Sequence, residues 1–452
     1  MRVRAIATTA AAAGLMAGAL TVTSSVADDD GSAERGADLR SALEDGTADL
    51  ITPFEASNGK NWTTVDQSLR FHRQLDGESD RVTLERAGRS GDGRPLQLVT
   101  VGADDSDQRD TADDSVAMFN CSIHGNEPAG REACMQLSRD LAFSDDPAVE
   151  RFLSHTTAVF LYPNPDGWEA NTRGNAEGVD INRDMLGLET PEGQAIARTI
   201  RDRKPDILND LHEYGEGKYY NDHALVLWPR NRNVDDTIHD FSQQMVLDYA
   251  TPQVESNDGY TAGIYGVLVK DGEPFQQIAG DHQARILRNY TGLQHVTGML
   301  TETATGALTP EEESDPALRN RRRAQVEYSS AVGTVQMVME RRDQLAEQST
   351  AAAERATQKG ASQDGVVYFG GQDNKVPTED EQVEPEPMCG YQLTGDQLGE
   401  VRRTLRLHGI TWKRNNQGAY VTMAQPDQPI IPLLLDKRSE YGIMDATPIS
   451  SC

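Results

Sequence analysis

Val116-Ala117-Met118-Phe119-Asn120-Cys121 is a short apolar run that passes directly into Ser122-Ile123-His124-Gly125-Asn126-Glu127-Pro128. The first half reads as a buried strand, the second as a polar turn that opens a helix. Glycine at 125 lets the backbone bend, and proline at 128 suits a first helical position. Residues 131–141 then carry Cys134, Leu137 and Leu141 at helical spacing. Strand, turn and helix together make the opening half of a βαβ unit.

The same alternation continues on both sides. Residues 157–162 are β-branched and apolar, and Pro163-Asn164-Pro165-Asp166-Gly167 stops them. Residues 192–203 read as a helix that ends before Pro205. Strands are expected at 206–211, 223–228 and 296–300, with helices at 238–249 and 283–292. Upstream, Thr63-Thr64-Val65-Asp66-Gln67 has the acid and amide groups of a helix start. Residues 82–84 and 96–101 flank Ser90-Gly91-Asp92-Gly93-Arg94-Pro95, as in a hairpin. The aspartate-rich stretch 104–114 lacks the glycine and closing glutamate of a calcium loop and reads as solvated. A long helix is expected over 315–347. The fold class expected is α/β, with a mixed, mostly parallel central sheet, helices on both faces, and a small C-terminal α+β module.

At ~100–200 residues per domain, 452 residues allow two or three domains. Residues 1–27 read as a signal peptide: Arg2 and Arg4, an Ala-rich apolar run, then Ser25-Val26-Ala27 before Asp28. Residues 28–59 form a polar N-terminal segment and 60–347 a catalytic domain. Residues 348–387 read as a linker with a short strand at 366–369. Residues 388–452 form the small module, with a helix over 394–407 and strands at 410–413 and 419–423; a wall- or substrate-binding role is the functional guess, and a stability or folding appendage fits equally well.

Forty-three Lys and Arg against 72 Asp and Glu give a net charge of −29. That excludes a general nucleic-acid binder and disfavours docking on anionic lipid. No stretch after the signal reaches the ~18–20 apolar residues of a spanning helix, so no stable membrane insertion is expected after cleavage. Export makes the four cysteines candidates for disulfides, with Cys121–Cys134 and Cys389–Cys452 favoured because each pair falls within one unit. Oligomeric state leaves no visible signature.

Nine histidines give few ways to build a metal site. His124 and Glu127 follow one strand, His212 ends a second in Asn209-Asp210-Leu211-His212-Glu213, and Glu302 ends a third in Leu300-Thr301-Glu302-Thr303. Ligands collect at the carboxyl ends of strands in open α/β sheets. Two imidazoles and one carboxylate, with a fourth position for water, suit a catalytic zinc, and a further carboxylate can act as general base. Each histidine taken alone reads more simply as structural, and His155, His223 and His282 are read so.

The chain resembles the zinc carboxypeptidase family of the carboxypeptidase A/B type. His-Gly-Asn-Glu-Pro at 124–128 is followed by Asn164-Pro165-Asp166-Gly167, Asn171-Thr172-Arg173-Gly174-Asn175 and Gly178-Val179-Asp180-Ile181-Asn182-Arg183-Asp184, then His212. The resemblance spans residues 60–345. It implies one Zn2+ per chain on His124, Glu127 and His212, with Glu302 as the catalytic glutamate. It implies that Arg173 polarises the scissile carbonyl and that Asn182 and Arg183 hold the substrate's terminal carboxylate. The expected substrates are peptides with a free C-terminus. The alternatives are a murein or γ-glutamyl peptidase of the same fold and a non-catalytic peptide- or glycan-binding protein. A tyrosine that covers the substrate is expected among Tyr260, Tyr265 and Tyr290.

Overall fold

The computed structural model describes residues 39–43, 50–102, 115–215, 222–270, 273–277, 282–370, 383–384 and 388–451. The signal peptide reading and the 104–114 loop lie outside the described residues. Eight strands form the central sheet: β1 (Val82–Arg89), β2 (Pro95–Val101), β3 (Ser115–Cys121), β4 (Thr156–Tyr162), β5 (Ile207–Tyr214), β6 (Ala224–Leu227), β7 (Ala262–Ile264) and β10 (Thr297–Ala304). A separate hairpin pairs β8 (Val267–Lys270) with β9 (Glu273–Gln277). The sheet order is β1-β2-β4-β3-β5-β10-β6-β7. The contacts β4–β3, β3–β5, β5–β10 and β6–β7 are parallel, and the rest are antiparallel. The sheet is therefore mixed and mostly parallel, with helices on both faces.

Strand alternation divides the core into two layers. On one face, Ala117, Phe119 and Cys121 of β3 and Ile207 and Leu211 of β5 pack with Leu137 and Leu141 and with Tyr328, Val335 and Val338. These come from the helices Ala129–Phe143 and Pro316–Ser362. On the other face, Met118, Val159 and Leu208 pack with Ile196 and Ile200 of helix Pro191–Arg203 and with Leu287 and Tyr290. Every residue of β3, β4 and β5 is buried, as strands covered on both faces require. The crossover after β3 leads to β4 on one side, and the crossover after β4 leads to β5 on the other. The switch in direction thus falls between β3 and β5, where a crevice opens beyond the strand ends.

One reading of organisation is corrected. The segment read as linker is helical up to Ser362, since helical backbone runs from Pro316 across a kink at Arg341 to that residue. Its Ala-rich composition is good helix-forming sequence, and Ala352, Ala356 and Gly360 are buried. The polar N-terminal segment also contributes to the core: Leu39, Leu43, Leu50 and Phe54 are all buried. The C-terminal module, a four-stranded antiparallel sheet with helix Gly395–Leu407, shares one continuous apolar cluster with the central domain. Gly360 marks the docking point, because a Cβ there would stand 1.9 Å from the Met423 carbonyl oxygen.

Cys121 and Cys134 are joined, with Cα atoms 6.1 Å apart. The bond ties the end of β3 to the helix behind it. Cys389 is also disulfide-bonded; its expected partner, Cys452, lies outside the described residues. Opening Cys121–Cys134 in a Cys121→Ala/Cys134→Ala variant is expected to lower stability by roughly 3 kcal/mol, the chain-entropy value for a loop this short. Denaturant unfolding of the variant beside the oxidised parent measures it, and equal midpoints would rule it out.

Candidate metal centre

After β3 the chain turns sharply. Ser122 takes a left-handed backbone conformation with φ of 67°, and its hydroxyl accepts the Arg131 N–H at 3.1 Å. Gly125 then passes against the turn that begins helix Pro165–Ala170; a Cβ on it would fall 1.9 Å from the Gly167 carbonyl carbon. Only glycine fits that approach, and it holds His124 and Glu127 over the end of the sheet.

His124, Glu127 and His212 are buried and present ligand atoms within 4.8 Å of one another. His124 Nδ1 stands 2.9 Å from Glu127 Oε1. His212 Nδ1 stands 3.1 Å from His124 Nδ1 and 3.0 Å from Glu127 Oε2. Each outer imidazole nitrogen faces a carboxylate. His124 Nε2 is 3.1 Å from Asp180 Oδ1, and His212 Nε2 is 2.8 Å from Asp210 Oδ2. A proton on each Nε2 leaves both Nδ1 lone pairs aimed inward. Two lone pairs and a carboxylate that converge repel one another unless a cation lies among them, so the donor set fits a zinc ion.

Asp180 and Asp210 were not singled out by sequence. Asp210 could have been, because two residues apart on a strand means the same face. It is itself held by Asn120 Nδ2, which donates to Oδ1 at 2.7 Å. Glu213, pointing to the opposite face, accepts the Ala129 N–H at 2.6 Å and pairs with Arg323 of the long helix. The Glu213 N–H in turn donates to Glu127 Oε2 at 3.2 Å. This ties the third ligand's strand to the helix that starts behind the first two.

His212 and Glu302 are partners in the β5–β10 register, so both side chains leave the same face of the sheet. Neither ends its strand as the sequence reading had it: β5 continues to Tyr214 and β10 to Ala304. Burial pushes the Glu302 carboxyl up to about 7, against the pull of the His212 imidazole. Burial acts the same way on Glu127, but in the metal-free pocket, where an imidazole Nδ1 can carry a proton, hydrogen bonds to His124 and His212 prevail and hold it well below the usual carboxylate range.

Arg173 lies at the opening, with Nη1 3.2 Å from Glu127 Oε1 and Nε 3.0 Å from Asp180 Oδ2. Its side chain is 47% exposed. Asn182 is buried; Nδ2 lies 3.1 Å from His212 Nε2, and Oδ1 accepts the Leu287 N–H at 2.7 Å. Arg183 is half-buried and donates from Nη1 to the Asn182 carbonyl at 2.8 Å.

The structure separates the three tyrosines. Tyr290 is fully buried against His408. Tyr260 packs with Ala224 and Val326 toward the long helix, on the face away from the site. Tyr265 packs with Tyr214, Leu225 and Ala304. Tyr214 and Ala304 are two residues beyond His212 and Glu302, and Leu225 is the register partner of Glu302, so Tyr265 is on the metal-site face.

Residues 69–186 match the family described as zinc carboxypeptidase. The chain carries a zinc carboxypeptidase-family region. The matched span holds His124, Glu127, Arg173, Asn182 and Arg183, while His212 and Glu302 follow it. The chain is 25% identical over 273 residues to the probable carboxypeptidase 2 of Arthroderma benhamiae, covering 57% of this chain and 51% of that protein. It is 34% identical over 148 residues to carboxypeptidase Z of Homo sapiens, covering 29% and 22% of the two chains. The chain thus spans about half the length of the carboxypeptidase 2 relatives it matches. Among solved structures it is similar to a metallo-carboxypeptidase from Burkholderia cenocepacia, with a TM-score of 0.49 and 18% identity over 61% of this chain and 69% of that one.

Proposed function

We propose that this zinc carboxypeptidase-family chain is an exported, zinc-dependent metallocarboxypeptidase that removes C-terminal residues from peptides. One observation carries the reading: the His124–Glu127–His212 cluster has Glu302 beside it on the neighbouring strand, in register with His212. One zinc per chain fits these three ligands and, when bound, supplies Lewis acidity and an acidified water. Glu302 takes the proton from the attacking water and returns it to the leaving amine. Arg173, leaning on Glu127 and Asp180 at the opening, donates to the oxygen of the scissile carbonyl as negative charge develops there.

Arg183 reads the terminal carboxylate with the guanidinium nitrogens its backbone contact leaves over. The Leu287 N–H holds the Asn182 amide oxygen, which leaves the amide nitrogen as a donor for the same carboxylate. Tyr265 is the tyrosine placed to cover the substrate. Export is supported by the Cys121–Cys134 disulfide. No helix among the described residues is long and apolar enough to cross a membrane.

Digestion of paired peptides tests the reading. A peptide ending in a free carboxylate is expected to lose its last residue, and its C-terminal amide to be cut at least ~100-fold more slowly, the scale of a lost charge-assisted pair. Equal cleavage of the two forms would reject it. Murein-derived peptides in the same digest report whether the substrate is a wall peptide.

A further inference from the structure

The small C-terminal module does not sit apart from the chemistry. It packs on the sheet face that carries His212 and Glu302, and one of its residues reaches into the wall beside Asn182 and Arg183. His408 follows helix Gly395–Leu407 and is fully buried. Its Nε2 donates to the Leu186 carbonyl at 2.9 Å, and its Nδ1 accepts the Tyr290 hydroxyl at 3.0 Å. The Tyr290 ring meets the imidazole edge-on, with centroids 5.5 Å apart. Burial lowers the imidazole to about 4, so it stays neutral and keeps both bonds across the working range.

The two partners of His408 belong to the two segments that form the proposed carboxylate site. Leu186 follows the turn bearing Asn182 and Arg183. Tyr290 lies in helix Leu287–Leu293, whose first N–H holds the Asn182 side chain at 2.7 Å. Those segments meet again where the Met185 N–H donates to the Arg285 carbonyl at 3.2 Å. There the module makes a second contact, with the Arg285 guanidinium 3.8 Å above the Tyr441 ring. A neutral imidazole carries one donor and one acceptor on opposite sides of its ring, so it can join a carbonyl on one segment to a hydroxyl on the other.

Resting on the carboxypeptidase reading above, we infer that the C-terminal module is part of the substrate wall, and that His408 is a positioning residue that fixes Asn182 and Arg183 for the terminal carboxylate. Asn182 also touches His212, but each metal ligand keeps its own carboxylate partner, Asp180 for His124 and Asp210 for His212, so the ligand set is expected to persist without His408.

The test uses the full chain and compares KM, kcat, zinc content and melting temperature. His408→Ala is expected to raise KM for a free-carboxylate peptide about tenfold with kcat within about twofold, as loss of uniform binding does, and to leave zinc at parent stoichiometry. His408→Gln, whose amide can donate to Leu186 and accept from Tyr290, is expected to restore KM most of the way. Tyr441→Ala, which releases Arg285 without touching His408, is expected to raise KM in the same direction and serves if His408→Ala does not fold. Unchanged KM in the folded variants, with only a lower melting temperature, would overturn the inference and leave the module a stability element. A parent protein that shows no preference for a free carboxylate would instead reject the carboxypeptidase reading itself, which separates the two failures.

Discussion

Glu302→Gln is expected to keep its zinc and lose peptide turnover by about 10³-fold, the scale set by removing a general base. The amide has nearly the shape of the carboxyl and cannot accept the proton. The β5–β10 register that places it beside His212 depends on backbone bonds alone and survives the change. Stability gives an independent readout. In the metal-free protein, burial holds the Glu302 carboxyl at about 7, above the ordinary ~4.3 of an unfolded chain. A folded-state value that is raised means the folded form binds more protons, so stability falls as pH rises from about 4 to 7. The neutral amide removes that loss, so the metal-free variant should melt no lower than the parent at pH 8. Turnover near that of the parent would exclude Glu302 as the base. In the parent, the acid limb of kcat/KM should lie at or below about 7, since a bound dication favours the carboxylate.

The second large effect is on the metal. His212→Ala is expected to drop zinc from near one per chain to near zero and to abolish activity with it, because three protein ligands are the minimum this cluster offers. Asp210→Asn should be milder. It keeps the ligand but weakens the partner that fixes the outer nitrogen, which costs about 10–100-fold in zinc affinity. Competition against a chelator of known affinity measures both. A parent protein that purifies and functions without zinc, or a His212→Ala variant that holds it normally, would end the metal-centre reading. Treatment of the parent with excess chelator should remove activity, and added zinc should restore it.

Much of the site was legible because its chemistry is tied to local pattern. His124 and Glu127 sit in a turn whose glycine and proline announce its shape, and His212 and Glu302 follow apolar runs that can only be buried strands. The sheet order and mixed strand direction agree with those runs. What was not legible depends on approach between distant segments. Residues 348–362 look like a linker by composition, yet Gly360 sits against Met423 and the helix persists through them. The Leu39 and Leu43 side chains are too few to mark a docked segment, yet both are buried. Which of Tyr260, Tyr265 and Tyr290 lies on the metal-site face depends on packing between distant strands, which spacing across a loop does not reveal. Net charge was the least informative property. A chain at −29 still sets Arg173 against Glu127 of the cluster, with Arg183 next in sequence to Asn182, which reaches His212.

The pairing of His212 with Glu302 also bears on how the molecule matures. The first two ligands are three residues apart and can approach a metal in a barely formed turn, but two ligands hold zinc weakly. The third arrives only when β5 has docked beside β3, and the base only when β10 has docked beside β5. A slip of one residue between those last strands would send Glu302 to the opposite face. On the proposed reading, tight metal retention would report that β5 is in place, and turnover that β10 has joined it. The last strand to be made in the central sheet is thus the one that brings the proposed base beside the cluster.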